Sequence, residues 1–544
     1  MRRRQTRVPN TAQRSLSFSN EAMLTSGPAG PKKIRVGGTQ FLEATPWHLY
    51  VGAERVDEYL QNRGLGWVVR LREELQQVDC SSLELNYTGM GRPAYHPRLL
   101  VALLVYGVLK RKSSLRELEE LAVADVGAWW LCGGQQPDHS TVGDFLVRHQ
   151  EQLTTEFFVA LVRDLVGRKG IQRGIVAGDG TVIEASASRF ALLNEEAAVQ
   201  AAEKAQATAA QQPTDAALAQ QAQQAQTVAR LAHERAHERE RKGRRGAQPA
   251  RVVTPHEPEA VMQRGKDGRC RPAYKPSVLV HESGVIVAHA VHPSSEAAVI
   301  AELFDQHEEV FGTAPRTALV DAGYHNLEVL RAAVERELDL LCPSGSTQGG
   351  HWQRQGTTGK FGKAQFPYDA QSDRYQCPAG HWLLPGRPYP DTATGLWARK
   401  YRTPQCHGCE LRTRCTASKA GRAIVRFDGE ELKEAMEAVM AQPQARALYR
   451  LRREIVERVF AEFGWRQGLK RFRRKGRAGA ALEFSLHCIA YDLKWAIRSG
   501  AAAALRGANH WLEQLWRVVG QWMRRFLVPT PNRSSHGVPF PIAA

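Results

Sequence analysis

Two aspartates in this 544-residue chain stand where a carboxylate can meet a hard cation. Asp179 closes the run Gly174-Ile175-Val176-Ala177-Gly178 and precedes Gly180-Thr181. Asp321 closes Thr317-Ala318-Leu319-Val320 and precedes Ala322-Gly323-Tyr324. Both runs are short and β-rich, as strands are. Acids at strand ends beside glycines can converge on one sheet edge and still leave room for a ligand. Their oxygens are the hard donors that Mg²⁺ prefers, and a phosphodiester supplies more of the same. Singly, each acid is a turn residue or strand terminator, so the pair becomes a site only with a third carboxylate.

Two other groupings carry chemistry. Cys377, Cys406, Cys409 and Cys415 follow the spacing Cys-x28-Cys-x2-Cys-x5-Cys, with His381 and His407 close by. Four soft ligands in a tetrahedron make a structural Zn²⁺ site; the alternative is reduced cysteines in a small packed module. Cys80, Cys132, Cys270, Cys342 and Cys488 read as core or incidental residues. The stretch from Arg466 to Arg477 holds Arg466, Lys470, Arg471, Arg473, Arg474, Lys475 and Arg477, with Phe472 among them and no acid. That composition suits contact with DNA phosphates. The whole chain leans the same way, with 74 Lys and Arg against 56 Asp and Glu, a net charge of +18.

The elements that must position these residues fall into blocks. Residues 1–46 read as a poorly ordered tail. Residues 47–170 have helical patterning, with a buried helix at Leu99–Leu104, a capping box at Ser114–Glu117, a similar pattern at Thr141–Asp144 and a break at Gly133-Gly134. Short helices with tight turns fit either a helix-turn-helix-like DNA-binding module or a bundle that only packs on its neighbour. Residues 171–498 read as a mixed α/β domain: a bent strand at Gly174–Ala185, a hairpin about Glu282-Ser283-Gly284, a helix from Ser295 to Phe311, then strands ending at Asp321 and at Cys342. Two insertions interrupt it, an Ala/Gln/Glu-rich helical or disordered stretch at 194–247 and the cysteine-bearing region at 344–427. A long helical segment is expected over Glu430–Phe463. Residues 499–544 hold a C-terminal helix and tail, with an amphipathic stretch at Trp511–Phe526.

The order of Tyr95-His96-Pro97, Pro137-Asp138-His139-Ser140-Thr141, Asp179-Gly180-Thr181, Asp321-Ala322-Gly323-Tyr324, Tyr449 to Phe460 and Ala490-Tyr491-Asp492-Leu493 resembles the DDE transposases of bacterial insertion sequences. The likeness is to the single-chain branch with a helical N-terminal domain and a cysteine-bearing insertion, and it spans Gly91 to Arg498. It implies a ribonuclease H-like catalytic fold whose third acid is a Glu sharing one helix face with a Tyr and an Arg. The matching residues are Tyr449, Arg453 and Glu457, spaced i, i+4, i+8. The Lys expected two turns later is replaced by Gly464, which leaves Lys470 as its substitute.

The resemblance further implies that Asp179, Asp321 and Glu457 hold two Mg²⁺ (or Mn²⁺) ions, that the chain cuts element ends and joins them to target DNA, and that it acts as a homodimer on double-stranded DNA carrying terminal inverted repeats. His325 reads as a surface residue. The competing readings are a nuclease or resolvase of the same fold, and a non-catalytic DNA-binding derivative that would have lost one of the acids. The longest apolar run, Leu99–Leu109, is too short to span a bilayer, and Met1-Arg2-Arg3-Arg4 is not followed by the apolar stretch of a secretory signal. A bacterial cytoplasmic, nucleoid-associated protein without a membrane partner is expected.

Overall fold

A computed structural model describes residues 33–36, 39–85, 87, 93–241, 252–265, 267–345, 360–391 and 395–499. The expected amphipathic stretch at Trp511–Phe526 lies outside the described residues.

Part of the segment expected as tail is ordered. Strands β1 (Lys33–Val36) and β2 (Thr39–Leu42) pair antiparallel, and β2 runs parallel to β5 (Ala94–Tyr95). The anchor is Phe41, fully buried against the rings of Tyr87 and His96. Between them lie the two-residue strands β3 (Tyr50–Val51) and β4 (Glu54–Arg55). Helices α1 (Val56–Asn62), α2 (Gly66–Gln77), α3 (Pro97–Leu109), α4 (Leu115–Ala124), α5 (Val126–Cys132), α6 (His139–Arg148) and α7 (Glu156–Arg168) follow. α3 is apolar on every side because every side is covered, as expected of a core helix. The capping box at Ser114 and Glu117 forms. For α6 the cap is Asp138, whose carboxylate accepts from the Thr141 amide at 2.7 Å, and not the Thr141–Asp144 pattern.

The central sheet is built from β6 (Ile175–Gly180), β9 (Cys270–His281), β10 (Ile286–His292), β11 (Thr317–Leu319) and β12 (Asp339–Leu341), with β7 (Ile183–Glu184) and β8 (Val261–Arg264) paired to opposite edges of β9 at Ala273. Its order is β10-β9-β6-β11-β12; β9 is antiparallel to β6 and β10, while β11 is parallel to both β6 and β12. Helices α8 (Glu195–Gln211) and α9 (Ala216–Arg241) fill the Ala/Gln/Glu-rich region as an antiparallel pair with its own small core around Ala198, Val228, Ala232 and Val253. α10 (Ile300–Phe311) and α11 (Leu327–Glu335) are the crossovers that make β11 and β12 parallel to β6.

The cysteine-bearing region folds as a separate sheet of β13 (Tyr368–Asp369), β14 (Arg374–Gln376), β15 (Trp382–Pro385), β16 (Tyr389–Pro390), β17 (Trp397–Arg402) and β18 (Ala423–Phe427), around Phe366, Tyr375, Leu383, Tyr401 and Ile424. The helical segment expected as one piece from Glu430 is three helices: α12 (Glu430–Ala441), α13 (Pro443–Tyr449) and α14 (Leu451–Ala461). Pro443 forces the first break, since it has no amide to donate and holds Gln442 extended. A π-helical turn, Glu462–Arg466, continues α14.

The last described helix, α15 (Gly476–Ser499), packs on β10 and also on α2, α3 and α7, so the N-terminal helices and the central sheet share one hydrophobic core. Its buried Glu483 accepts from the amides of Arg473 at 2.8 Å and Arg474 at 3.0 Å, fixing the basic loop that precedes it. Glu483→Ala strands two amides, at a cost of about 1–3 kcal/mol for each that stays unsatisfied. A lowered melting temperature is expected, with a smaller drop for Glu483→Gln, which keeps one acceptor; equal melting of all three proteins would refute this role.

Candidate active site

The register of the sheet brings the two aspartates together. Thr317, Ala318 and Leu319 of β11 lie opposite Ile175, Val176 and Ala177 of β6 in parallel. Continued along both strands, the same offset sets Asp321 opposite Asp179. Asp179 accepts from the Gly180 amide at 2.9 Å; Asp321 caps the short turn Ala322–Tyr324 by accepting from the Gly323 amide at 2.8 Å. One guanidinium nitrogen of Arg452 lies 3.0 Å from Asp179 Oδ1 and 3.9 Å from Asp321 Oδ2. The two carboxylates thus face one point in space.

Burial pushes the Asp179 carboxyl up to about 6, with Arg452 opposing the shift and the charges of Asp321 and Glu296 adding to it. Burial also raises the Tyr449 hydroxyl to about 12; Arg452 lowers it, while Asp321, Cys342 and Asp179 raise it further, so this tyrosine faces the same point. Two neighbours carried no signal that spacing could have revealed. Arg452 stands beside the expected Arg453, and one residue turns a helical side chain by about 100°. Glu296 lies in the loop after β10, and its carboxylate is gripped by Lys275 Nζ of β9 at 2.9 Å.

Glu457 and Arg453 sit elsewhere on α14. Glu457 is 62% exposed and accepts from Arg453 Nε at 2.8 Å, while Arg453 is 81% exposed. The border position expected of Glu457 is therefore a solvent-facing one in this structure, because Ile455, Val456 and Val459 take the buried face. Tyr449 ends α13, one residue before α14 begins, so the three residues do not belong to one continuous helix. Among the described residues, no group of three or more His, Cys, Asp or Glu side chains is arranged to hold a metal ion. As donors for Mg²⁺ or Mn²⁺, Asp179 and Asp321 fit in chemistry and convergence; Glu457 fits in chemistry alone. His325, expected at the surface, is half-buried with an unpartnered Nε2, and burial lowers its pKa.

Cys377, Cys406, Cys409 and Cys415 line one pocket together with His381. Burial raises the Cys415 thiol; Arg422 counters this, and Cys406, Cys377 and Cys409 add to it, so the sulfurs are within reach of one another's charge. They share a pocket without closing to ligand distance, and their soft-donor chemistry fits zinc. Cys80, Cys132, Cys342 and Cys488 are buried and Cys270 is exposed.

The basic run is not a uniform surface. Arg471 donates to the carbonyls of Ala185 and Ala187, Arg477 to that of Val291, and Arg473 pairs with Glu117 of the α4 capping box. Arg474 is half-buried beside Glu483, and burial lowers its pKa. Phe472, within the basic stretch, is a buried core residue. Arg466, Lys470 and Lys475 are exposed, as are Arg471, Arg473 and Arg477; Arg466 lies 3.5 Å from Glu462, and Lys470 lies over the ring of Trp465, which is 78% exposed.

Residues 66–148 match the family model described as "Transposase domain (DUF772)", and residues 376–496 match that of a "Transposase DDE domain". The two matched regions are similar to transposase domains, the second of DDE type, and together they support a DDE transposase of insertion-sequence type. No curated protein and no solved structure matches it. Among the described residues no helix is long and apolar enough to cross a membrane.

The raised pKa of Asp179 gives a pH test. An acid whose folded pKa lies above its unfolded value is favoured in its neutral form by folding, so its contribution is full below about pH 4 and is lost as pH rises through about 6. In metal-free protein Asp179→Asn should therefore melt higher than wild type at pH 7, and the difference should vanish near pH 4. A difference independent of pH would contradict the shift.

Proposed function

We propose that the chain is a cut-and-paste transposase that cleaves the ends of its element and joins them to target DNA. The observation that carries this reading is the convergence of Asp179 and Asp321 from adjacent parallel strands, in a chain with two transposase domains. The strand order, with three antiparallel strands followed by two parallel ones, supports a ribonuclease H-like catalytic fold. Residues 171–498 would form that catalytic domain, with the insertions at 194–247 and 344–427, and residues 47–170 a DNA-binding domain.

DDE transposases generally use divalent metal ions. Asp179 and Asp321 would hold two Mg²⁺ (or Mn²⁺) ions, with Glu457 as the third acid once α14 and its Arg453 pair adjust on DNA. The ions would supply Lewis-acid activation of the attacking hydroxyl and stabilisation of the leaving oxygen. Arg452, between the aspartates, is placed to neutralise a phosphate oxygen entering the same point, and Tyr449 to orient it by its hydroxyl. Cys377, Cys406, Cys409 and Cys415 would hold a structural Zn²⁺. Arg466, Lys470 and Lys475 would contact phosphates directly, whereas Arg471, Arg473, Arg474 and Arg477 would hold the loop in shape. The partner is double-stranded DNA, bound at terminal inverted repeats by a homodimer that pairs two ends.

Asp179→Asn and Asp321→Asn should each abolish Mg²⁺- or Mn²⁺-dependent cleavage of DNA bearing the repeats that flank the gene, while mobility shifts show binding retained. Cleavage by Asp321→Asn would defeat the assignment, and Glu457→Gln tests the third acid separately. For the interface, Arg466→Ala with Lys470→Ala should reduce the slope of log affinity against log salt by about 2, close to 0.9 per phosphate lost. An unchanged slope would remove both residues from the interface.

A further inference from the structure

The carboxylate of Glu296 lies between the two segments that carry the aspartates. A β-carbon added to Gly180, next to Asp179, would sit 2.7 Å from Glu296 Oε2; one added to Gly323, two residues past Asp321, would sit 2.7 Å from Glu296 Oε1. Neither glycine has a positive φ, so what each supplies is space. Each oxygen of one carboxylate thus faces a different aspartate segment. The side chain is only 12% exposed, and Lys275, itself on the strand beside β6, fixes it from behind.

Two further side chains pack against the same place. The hydroxyls of Tyr324 and Ser277 are fully buried beside one another. The charges of Glu296, Asp179 and Asp321 all reach the Tyr324 hydroxyl, which burial raises well above its ordinary range.

We propose that Glu296, gripped by Lys275, is a positioning residue of the active centre that sets the spacing of Asp179 and Asp321 for a divalent cation. This rests on the function proposed above, in which those aspartates hold the cation. Glu296 acts through the two backbone segments it separates. Reach therefore matters as much as charge: an aspartate at 296 keeps the charge but is one methylene too short to face both segments.

The test uses full-length wild type, Glu296→Ala, Glu296→Asp and Asp179→Asn. Mn²⁺ binding is followed by electron paramagnetic resonance of the free ion, and DNA cleavage is measured against Mn²⁺ concentration. Both Glu296 variants should bind Mn²⁺ about 10-fold more weakly or worse, the usual loss for a group that orients metal ligands. The half-maximal Mn²⁺ concentration should rise in step and kcat should fall, with KM for DNA within about twofold of wild type.

Wild-type Mn²⁺ affinity in Glu296→Ala, alongside its loss in Asp179→Asn, overturns this inference alone. Wild-type affinity in Glu296→Asp shows that charge suffices and overturns the positioning role. Equal binding by wild type and Asp179→Asn overturns the proposed function, and this inference with it. If Glu296→Ala fails to fold, as judged by its melting curve, Lys275→Met carries the test: weakened Mn²⁺ binding supports the grip, and unchanged binding refutes it.

Discussion

Everything at the centre of this molecule depends on the parallel pairing of β6 with β11. Successive side chains of a strand point to opposite faces, so a one-residue slip in this pairing would send one of the two aspartates to the far side of the sheet. The register Thr317 to Ile175 prevents that, and it is held by what surrounds it. Ile175, Val176, Ala177, Ala318 and Leu319 are all fully buried, with α10 and α11 supplying the crossovers. The long antiparallel β9 adds a second restraint, setting Asp179 opposite Val278 and Gly180 opposite Ser277.

Bringing the aspartates level creates an electrostatic problem that the neighbourhood answers. Burial raises the Asp179 carboxyl well above the ordinary range despite the guanidinium beside it, and the charge of Asp321 adds to the rise. Glu296 adds a third negative group, and Lys275 and Arg452 supply two positive ones. The local balance stays acidic, which suits a cation better than it suits the empty fold. For the divalent ion proposed above such strain is expected, because the ion and not the protein would complete the charge.

The sequence made the sheet legible because strand ends, glycines and the Glu282-Ser283-Gly284 turn are local signals. Asp179 and Asp321 could be read from their own surroundings, as could the capping box at Ser114. What could not be read were partners set by tertiary packing. Glu296 is an unremarkable loop acid in sequence; only the closeness of Gly180 and Gly323 reveals it. Arg452 and Arg453 are adjacent and chemically identical, and only the way α14 packs decides which faces the aspartates. The basic run illustrates the same limit. Its charges count equally in a composition, yet Arg471 and Arg477, though exposed, also donate to backbone carbonyls within the chain.

Those internal contacts also bear on how recognition and chemistry communicate. Arg473 ties the loop after α14 to the cap of α4, and Arg111 at the end of α3 donates to the carbonyl of Arg466 at 2.8 Å. Ser485 of α15 donates to the carbonyl of Leu153 at 2.8 Å, and α15 lies across α2 and α3. The region matched by one transposase model therefore packs directly on the region matched by the other, through a continuous core. Interiors this closely packed do not deform gradually. A DNA end held by the N-terminal helices would thus be referred to the sheet and its aspartates as one body. Freedom to adjust would then have to lie in parts that core does not enclose. Solvent-facing Arg453 and Glu457 on α14, and the exposed π-turn around Trp465, are such parts.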